Sequence, residues 1–214
     1  MAVVSYEEIT GQVLDRAIER MAVGARTCFH FGHNQTQIIM IGNDELNEMG
    51  DYCWSLADMS PLAARDGRMV RELIKEGCRT IVLGETRKSV LGWDCGACGF
   101  RTCKELNVAE TQETLIGRGP CCHFKLLNMN LAANAAAAVA HRLGLHCRVF
   151  TTLGMAALSL EIIKEVDISV AVVISAAGEN PFFDRHKYWT DEHWDETFQK
   201  EFPTYVRGFI GAFE

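Results

Sequence analysis

Apolar residues along the chain follow two rhythms. Near the start they recur every three or four positions, and Ile9, Val13, Ala17, Ile18 and Met21 fall on one face of a helix. Ser5 opens that helix with Glu8 three places on, the pattern in which each residue caps the other's backbone. Residues 22–36, AVGARTCFHFGHNQT, lose the period and read as a loop. QIIMIG then reads as a short strand stopped by Gly42, and NDELNEMGDYCWSLADM returns to helical spacing. Ser60 and Pro61 start a further helix, with proline at its tolerated first position, and RMVRELIKEG completes it before Gly77. CRTIVLG is a second buried strand. CCHFKLLNMNLAANAAAAVAHRLGLH has strong helix propensity up to Gly144, and its alanines at 132–140 let neighbouring elements approach closely. CRVFTTLG reads as a strand ending at its glycine, MAALSLEIIKEV as a helix and DISVAVVISA as another buried strand. AGENPFFDR reads as a loop, and the tail from 190 as partly helical. Helices alternating with short apolar strands predict an α/β or α+β layered domain.

Composition narrows the function classes. The chain has 214 residues, 48% hydrophobic and 23% charged, which suits one domain with a sizeable core. The formal net charge is −7 and no basic run occurs, so nothing predicts a nucleic-acid footprint. No apolar stretch reaches the length of a membrane span. The first residues, MAVVSYEEITGQVLDR, lack the basic and apolar blocks of a secretory signal, so a cytoplasmic location is expected. Nine cysteines are many for such a location, where thiols stay reduced and disulfides are a poor explanation. Cys28, Cys53, Cys78 and Cys147 stand alone and read as small buried apolar side chains.

The other five cysteines change the picture. Cys95, Cys98 and Cys103 form a C-x2-C-x4-C loop, DCGACGFRTC, and Cys121 or Cys122 supplies a fourth thiol. Four thiolates are the usual ligands of an iron–sulfur cluster or of a structural zinc. Gly96 and Gly99 give the loop dihedrals closed to other residues, so a short backbone can wrap a metal group. Zinc sites more often pair two separated C-x2-C knuckles, and only one such pair occurs here. Cys122 is the favoured fourth ligand, Cys121 is its alternative, and His123 is an incidental neighbour. Trp93, just before the loop, is expected to shield the metal group from water. His30 and His33, three apart around Gly32, read as loop histidines facing solvent or hydrogen-bonded. Asp184 and Arg185 read as a charge pair closing a turn, and EHWDE as a solvated face.

These motifs resemble a known family. DCGACGFRTC, then GPCCHFKLLNMNLAANAAAAV, then GMAALSLEIIKEVDISVAVVISAAGENPFFDR are similar to the ferredoxin-domain-containing proteins of anaerobic bacteria and archaea. The resemblance implies one [4Fe–4S] cluster held by Cys95, Cys98, Cys103 and Cys122. The doubled thiol at 121–122 departs from its pattern. It covers residues 5–186, so the chain divides into a single domain, 1–186, with a cluster loop at about 93–122, and a C-terminal extension, 187–214, that could serve as a dimer arm.

NMNLAANAAAAVAHRLGLHCRVFTTLG is also similar to nitroreductase-like flavoproteins, α+β folds that dimerise around FMN. That likeness implies a layered fold with an inserted iron–sulfur loop, a homodimer, and flavin contacts from Arg26, Asn34 and Gln35. The expected function is electron transfer, or a flavin-assisted oxidoreductase, with a partner protein or a small electron acceptor. One one-electron centre cannot alone carry out a two-electron reduction, so an enzyme would need the second cofactor. The alternative is a structural metal site, zinc or cluster, in a dimeric scaffold without catalysis.

Overall fold

A computed structural model describes residues 5–182. Its centre is an antiparallel sheet of four strands: β1 (Gln37–Ile41), β2 (Cys78–Glu85), β5 (His146–Phe150) and β6 (Ile168–Ser175). Their order is β1-β2-β6-β5, so β2 and β6 lie inside. Val82 faces Ala171, and Val149 faces Val172. Every residue of β6 is buried, because helices cover both faces of the sheet.

Strand alternation sorts the side chains into two cores. Ile81, Leu83, Val170, Val172 and Ile174 point to one face. There they meet α1 (Tyr6–Thr27) and α5 (His123–Arg142). Cys78, Val82, Ala171 and Val173 point to the other. There they meet α2 (Asn43–Ser55), α3 (Pro61–Glu76) and α6 (Thr151–Ser159). Of the two layered classes that the alternation of elements allows, the antiparallel pairing makes this one α+β, as the flavoprotein likeness implies. Between β2 and α5 the chain adds α4 (Cys103–Val108) and a small hairpin, β3 (Gln112–Thr114) with β4 (Gly117–Gly119). The hairpin is fastened to the sheet by Arg118 N–H, which donates to the Asp167 carbonyl at 2.8 Å.

Capping follows the sequence. Ser5 and Glu8 form the reciprocal box at the start of α1, and Ser60 Oγ accepts from Ala63 N–H at the start of α3. Three expectations are corrected. First, α1 does not stop at residue 21 but runs to Thr27, and Ala25 is buried in the core. Gly24 does not break it, because this glycine lets α1 lie against α5: a Cβ there would come within 2.9 Å of Val139. Second, the buried face of α1 is Leu14, Ala17, Ile18, Met21 and Ala25, while Ile9 and Val13 are exposed. Third, TTLG is not strand. The strand ends at Phe150, and α6 begins at Thr151 and ends at Ser159, so the segment from 160 to 167 is irregular. Among the described residues no helix is long and apolar enough to cross a membrane. Asp184, Arg185, EHWDE and the extension 187–214 lie outside the described residues.

Candidate metal centre

The cysteine loop leaves the end of β2 and returns to the start of α5. Its backbone is shaped by left-handed residues: Asp94 has φ 49°, Gly96 73° and Gly99 85°. The positive φ at Asp94 aims its carboxylate back across the loop, where Oδ1 accepts from Cys103 N–H at 2.7 Å. Gly99 N–H donates to the Gly96 carbonyl at 2.9 Å, closing the turn between Cys95 and Cys98. Thr102 caps α4, and Glu105 Oε2 accepts from the N–H groups of Arg101 and Thr102. Cys103 thus becomes the first residue of α4.

The fourth thiol is positioned differently. Cys122 is the N-cap of α5, and its N–H donates to the Arg87 carbonyl at 2.8 Å. This places its side chain at the first turn of a helix of 20 residues.

The structure brings Cys95, Cys98, Cys103 and Cys122 to the wall of one concavity. Trp93, Leu106 and Phe124 supply apolar walls. Cys121 does not line it. Burial, reinforced by the nearby Cys122, Asp167 and Glu85, pushes the Cys121 thiol up to about 12 against the opposing pull of Lys125. Its Sγ lies 3.6 Å from the Cys122 carbonyl. Among the described residues no three His, Cys, Asp or Glu side chains gather closely enough to hold a single metal ion.

Trp93 forms the outer lip of the cavity and is 56% exposed. It packs edge-on to Phe124, with ring centroids 5.1 Å apart, and Phe124 packs on Phe31 at 4.7 Å. His123 lies beside Phe124, with its ring centroid 5.8 Å away. His30 Nδ1 is 2.9 Å from the Cys28 carbonyl, and His33 is exposed.

The expected flavin contacts lie at the end of α1 and in the loop after it. Arg26 Nη1 donates to the Asn34 carbonyl at 3.4 Å, and Asn34 Nδ2 donates to the Arg26 carbonyl at 2.7 Å. Gln35 Oε1 accepts from Lys125 Nζ at 3.0 Å. Arg26 and Asn34 are brought together, and Gln35 joins a different network.

That network escaped the sequence reading. Lys125, in the first turn of α5, also donates to Glu85 Oε2 at 2.9 Å, and Thr36 Oγ1 donates to Glu85 Oε1 at 2.9 Å. Lys125 and Glu85 are almost fully buried. Arg87, two residues on, is buried as well. The available signal was two charges within three residues, Glu85 and Arg87, straight after the apolar run CRTIVLG. Asp94 gave no signal beyond adjoining a cysteine.

Fold and site together define a layered α+β protein with a four-cysteine cavity beside its sheet. Residues 118–185 match the family described as uncharacterized protein containing a ferredoxin domain, the resemblance that the motifs carried. The matched segment includes Cys121 and Cys122. A protein of Archaeoglobus fulgidus described only as an uncharacterized protein is 28% identical over 167 residues, covering 77% of this chain and 88% of its own. A BluB-like flavoprotein from Clostridium difficile 630 is similar in structure, with a TM-score of 0.45, 13% identity and 84% of each chain covered.

Proposed function

We propose that the chain is an iron–sulfur redox protein whose cluster is held by Cys95, Cys98, Cys103 and Cys122. The observation that carries this reading is the shared cavity: three thiols of one loop and a fourth from the start of α5 line it, and the adjacent Cys121 does not. The match to a family with a ferredoxin domain supports it. The donor set also fits, because four thiolates suit a [4Fe–4S] cluster and the left-handed residues of the loop let it curl around one.

When bound, such a cluster supplies one-electron redox chemistry. The residues of the chain do the rest. Trp93, Leu106 and Phe124 give the cavity apolar walls that lower its dielectric, which sets the potential together with hydrogen bonds to the sulfurs. Asp94 and Glu105 hold the loop so that three thiols turn inward. Cys122, as the N-cap of α5, ties the fourth thiol to the core. Trp93 and Phe29, 56% and 70% exposed, form an aromatic rim where a partner or acceptor could approach. A flavin, if present, would make the chain a two-cofactor oxidoreductase, and without it the chain is an electron carrier.

The test is anaerobic purification with iron, sulfide, zinc and flavin quantified on one sample. About four iron and four sulfide per chain, with absorption that dithionite bleaches, is the expected result. Stoichiometric zinc in a colourless protein would move the site to a structural role.

A further inference from the structure

Arg87 differs from the other buried charges of the protein among the described residues. It is 4% exposed, and its guanidinium reaches only carbonyls: Ala109 at 2.9 Å, and Leu106 and Pro120 at 3.5 Å each. Glu85 is engaged by Lys125, and Asp66 by Arg65. Asp167 accepts from the backbone N–H of Arg87 at 2.8 Å and so serves the other end of the residue. Among the described residues no ion pair joins the Arg87 guanidinium to a carboxylate. A buried cation without a counter-charge is unfavourable, so a neighbouring negative charge is called for.

The residues it grips show where that charge sits. Leu106 lines the cavity and belongs to α4, the helix that Cys103 opens. Pro120 leads into Cys121 and Cys122, and the carbonyl of Arg87 itself accepts from Cys122 N–H. The guanidinium thus lies behind the cavity wall and bridges the two segments that deliver Cys103 and Cys122.

We propose that Arg87 is the charge partner of the cluster and raises its reduction potential. The inference rests on the cluster reading above. Four thiolates outweigh the positive charge of an iron–sulfur core, so the loaded site is negative and becomes more so on gaining an electron. A fixed cation in a low-dielectric wall favours the reduced state, and its burial limits screening by salt.

The test compares reconstituted wild type with Arg87→Gln and Arg87→Lys in a redox titration followed by visible absorption and electron paramagnetic resonance. Gln removes the charge and keeps a hydrogen-bonding group, whereas Lys keeps the charge and loses the fork. The expected result is an electron affinity about tenfold weaker in Arg87→Gln, a potential ~59 mV more negative for a one-electron couple, with Arg87→Lys close to wild type. An unchanged potential in Arg87→Gln, or equal falls in both variants, would overturn the proposal. A Gln variant that folds without metal but fails to take up iron and sulfide, while the Lys variant loads, would support it. A Gln variant that does not fold even without metal, while the Lys variant does, would show that the charge serves the polypeptide alone and would also overturn it. Wild type that binds no iron or sulfide would remove the cluster reading itself, a failure visible before any variant is made.

Discussion

At the scale of single residues, the two adjacent thiols separate most sharply. Cys122 lines the cavity at a helix N-terminus, and Cys121 is turned away with its thiol pushed up to about 12. Cys122→Ser should therefore abolish stoichiometric iron and sulfide, and Cys121→Ser should leave both near wild-type content. Iron and sulfide assays on the two variants decide between them, and equal loss in both would return Cys121 to the ligand set. Thiol reactivity gives a second check. Burial pushes Cys53 and Cys147 up to about 12 and Cys78 up to about 11, so almost none of their thiolate exists at pH 8. Cys95 is exposed, and Cys98 and Cys103 are half-buried. Iodoacetamide on the native metal-free chain at pH 8 should label the loop first, and peptide mass spectrometry would show the three isolated thiols spared until denaturant is added. The loop was legible in the sequence because ligand chemistry imposes a spacing. Arg87 and Lys125 were not, because their roles come from which distant segments the fold sets beside them.

At the scale of elements, two glycines with opposite surroundings make a matched test. Gly154 lies inside α6 pressed flat on β6, where a Cβ would overlap the Ser169 carbonyl and the Val170 backbone. Gly154→Ala should cost about 3 kcal/mol, the upper part of the range for overpacking. Gly11 sits in the second turn of α1 with nothing near a Cβ, and Gly11→Ala should stabilise by about 1 kcal/mol through helix propensity alone. Urea unfolding of both would measure the contrast. The same physics explains where the sequence misled. Gly24 and Gly154 look like punctuation in a linear reading, yet each marks a close approach between elements, and close approach is a tertiary fact. Ile9 and Val13 misled in the converse way, since their spacing fits the face that Leu14 and Ala25 in fact occupy. The buried pair Lys125–Glu85 joins α5 to β2 and, through Thr36, to the end of the loop after α1. Lys125→Met should cost about 3–5 kcal/mol by stranding a buried carboxylate, and the double variant with Glu85→Leu should recover most of that loss. A double-mutant cycle would read the coupling, and additive effects would show that the pair does not act as a unit.

At the scale of the whole molecule, the sheet and its two cores close without the cysteine loop. Both apolar clusters are built mainly from the sheet and the five long helices, Cys121 at the end of the loop packs against one of them, and Leu106, the buried apolar residue of α4, belongs to neither. The loop is held instead by a few polar ties: the Asp94 carboxylate on Cys103, the turn at Gly96–Gly99, and Asn107, which donates to the Ser89 carbonyl and accepts from Ser89 N–H at 2.8 Å each. A helix of six residues is too short to stand on such ties alone. A metal group bound by three loop thiols and by Cys122 at the root of α5 would cross-link loop to core, and its binding energy would become stability of the loop. Removing it with a chelator should therefore act locally. Hydrogen exchange read by mass spectrometry should show protection lost across residues 94–102, partly kept at 103–109 where Asn107 and Arg87 still hold, and unchanged in β2 and β6. Each zone responds for its own reason: the first would keep only the turn at Gly96–Gly99 and the carboxylate ties of Asp94 and Glu105, the second keeps bonds to the segment after β2, and the third lies under helices on both faces. Loss of protection in β6 on chelation would mean that the cluster supports the sheet itself, and the loop could then no longer be treated as a separate unit mounted on a self-sufficient fold.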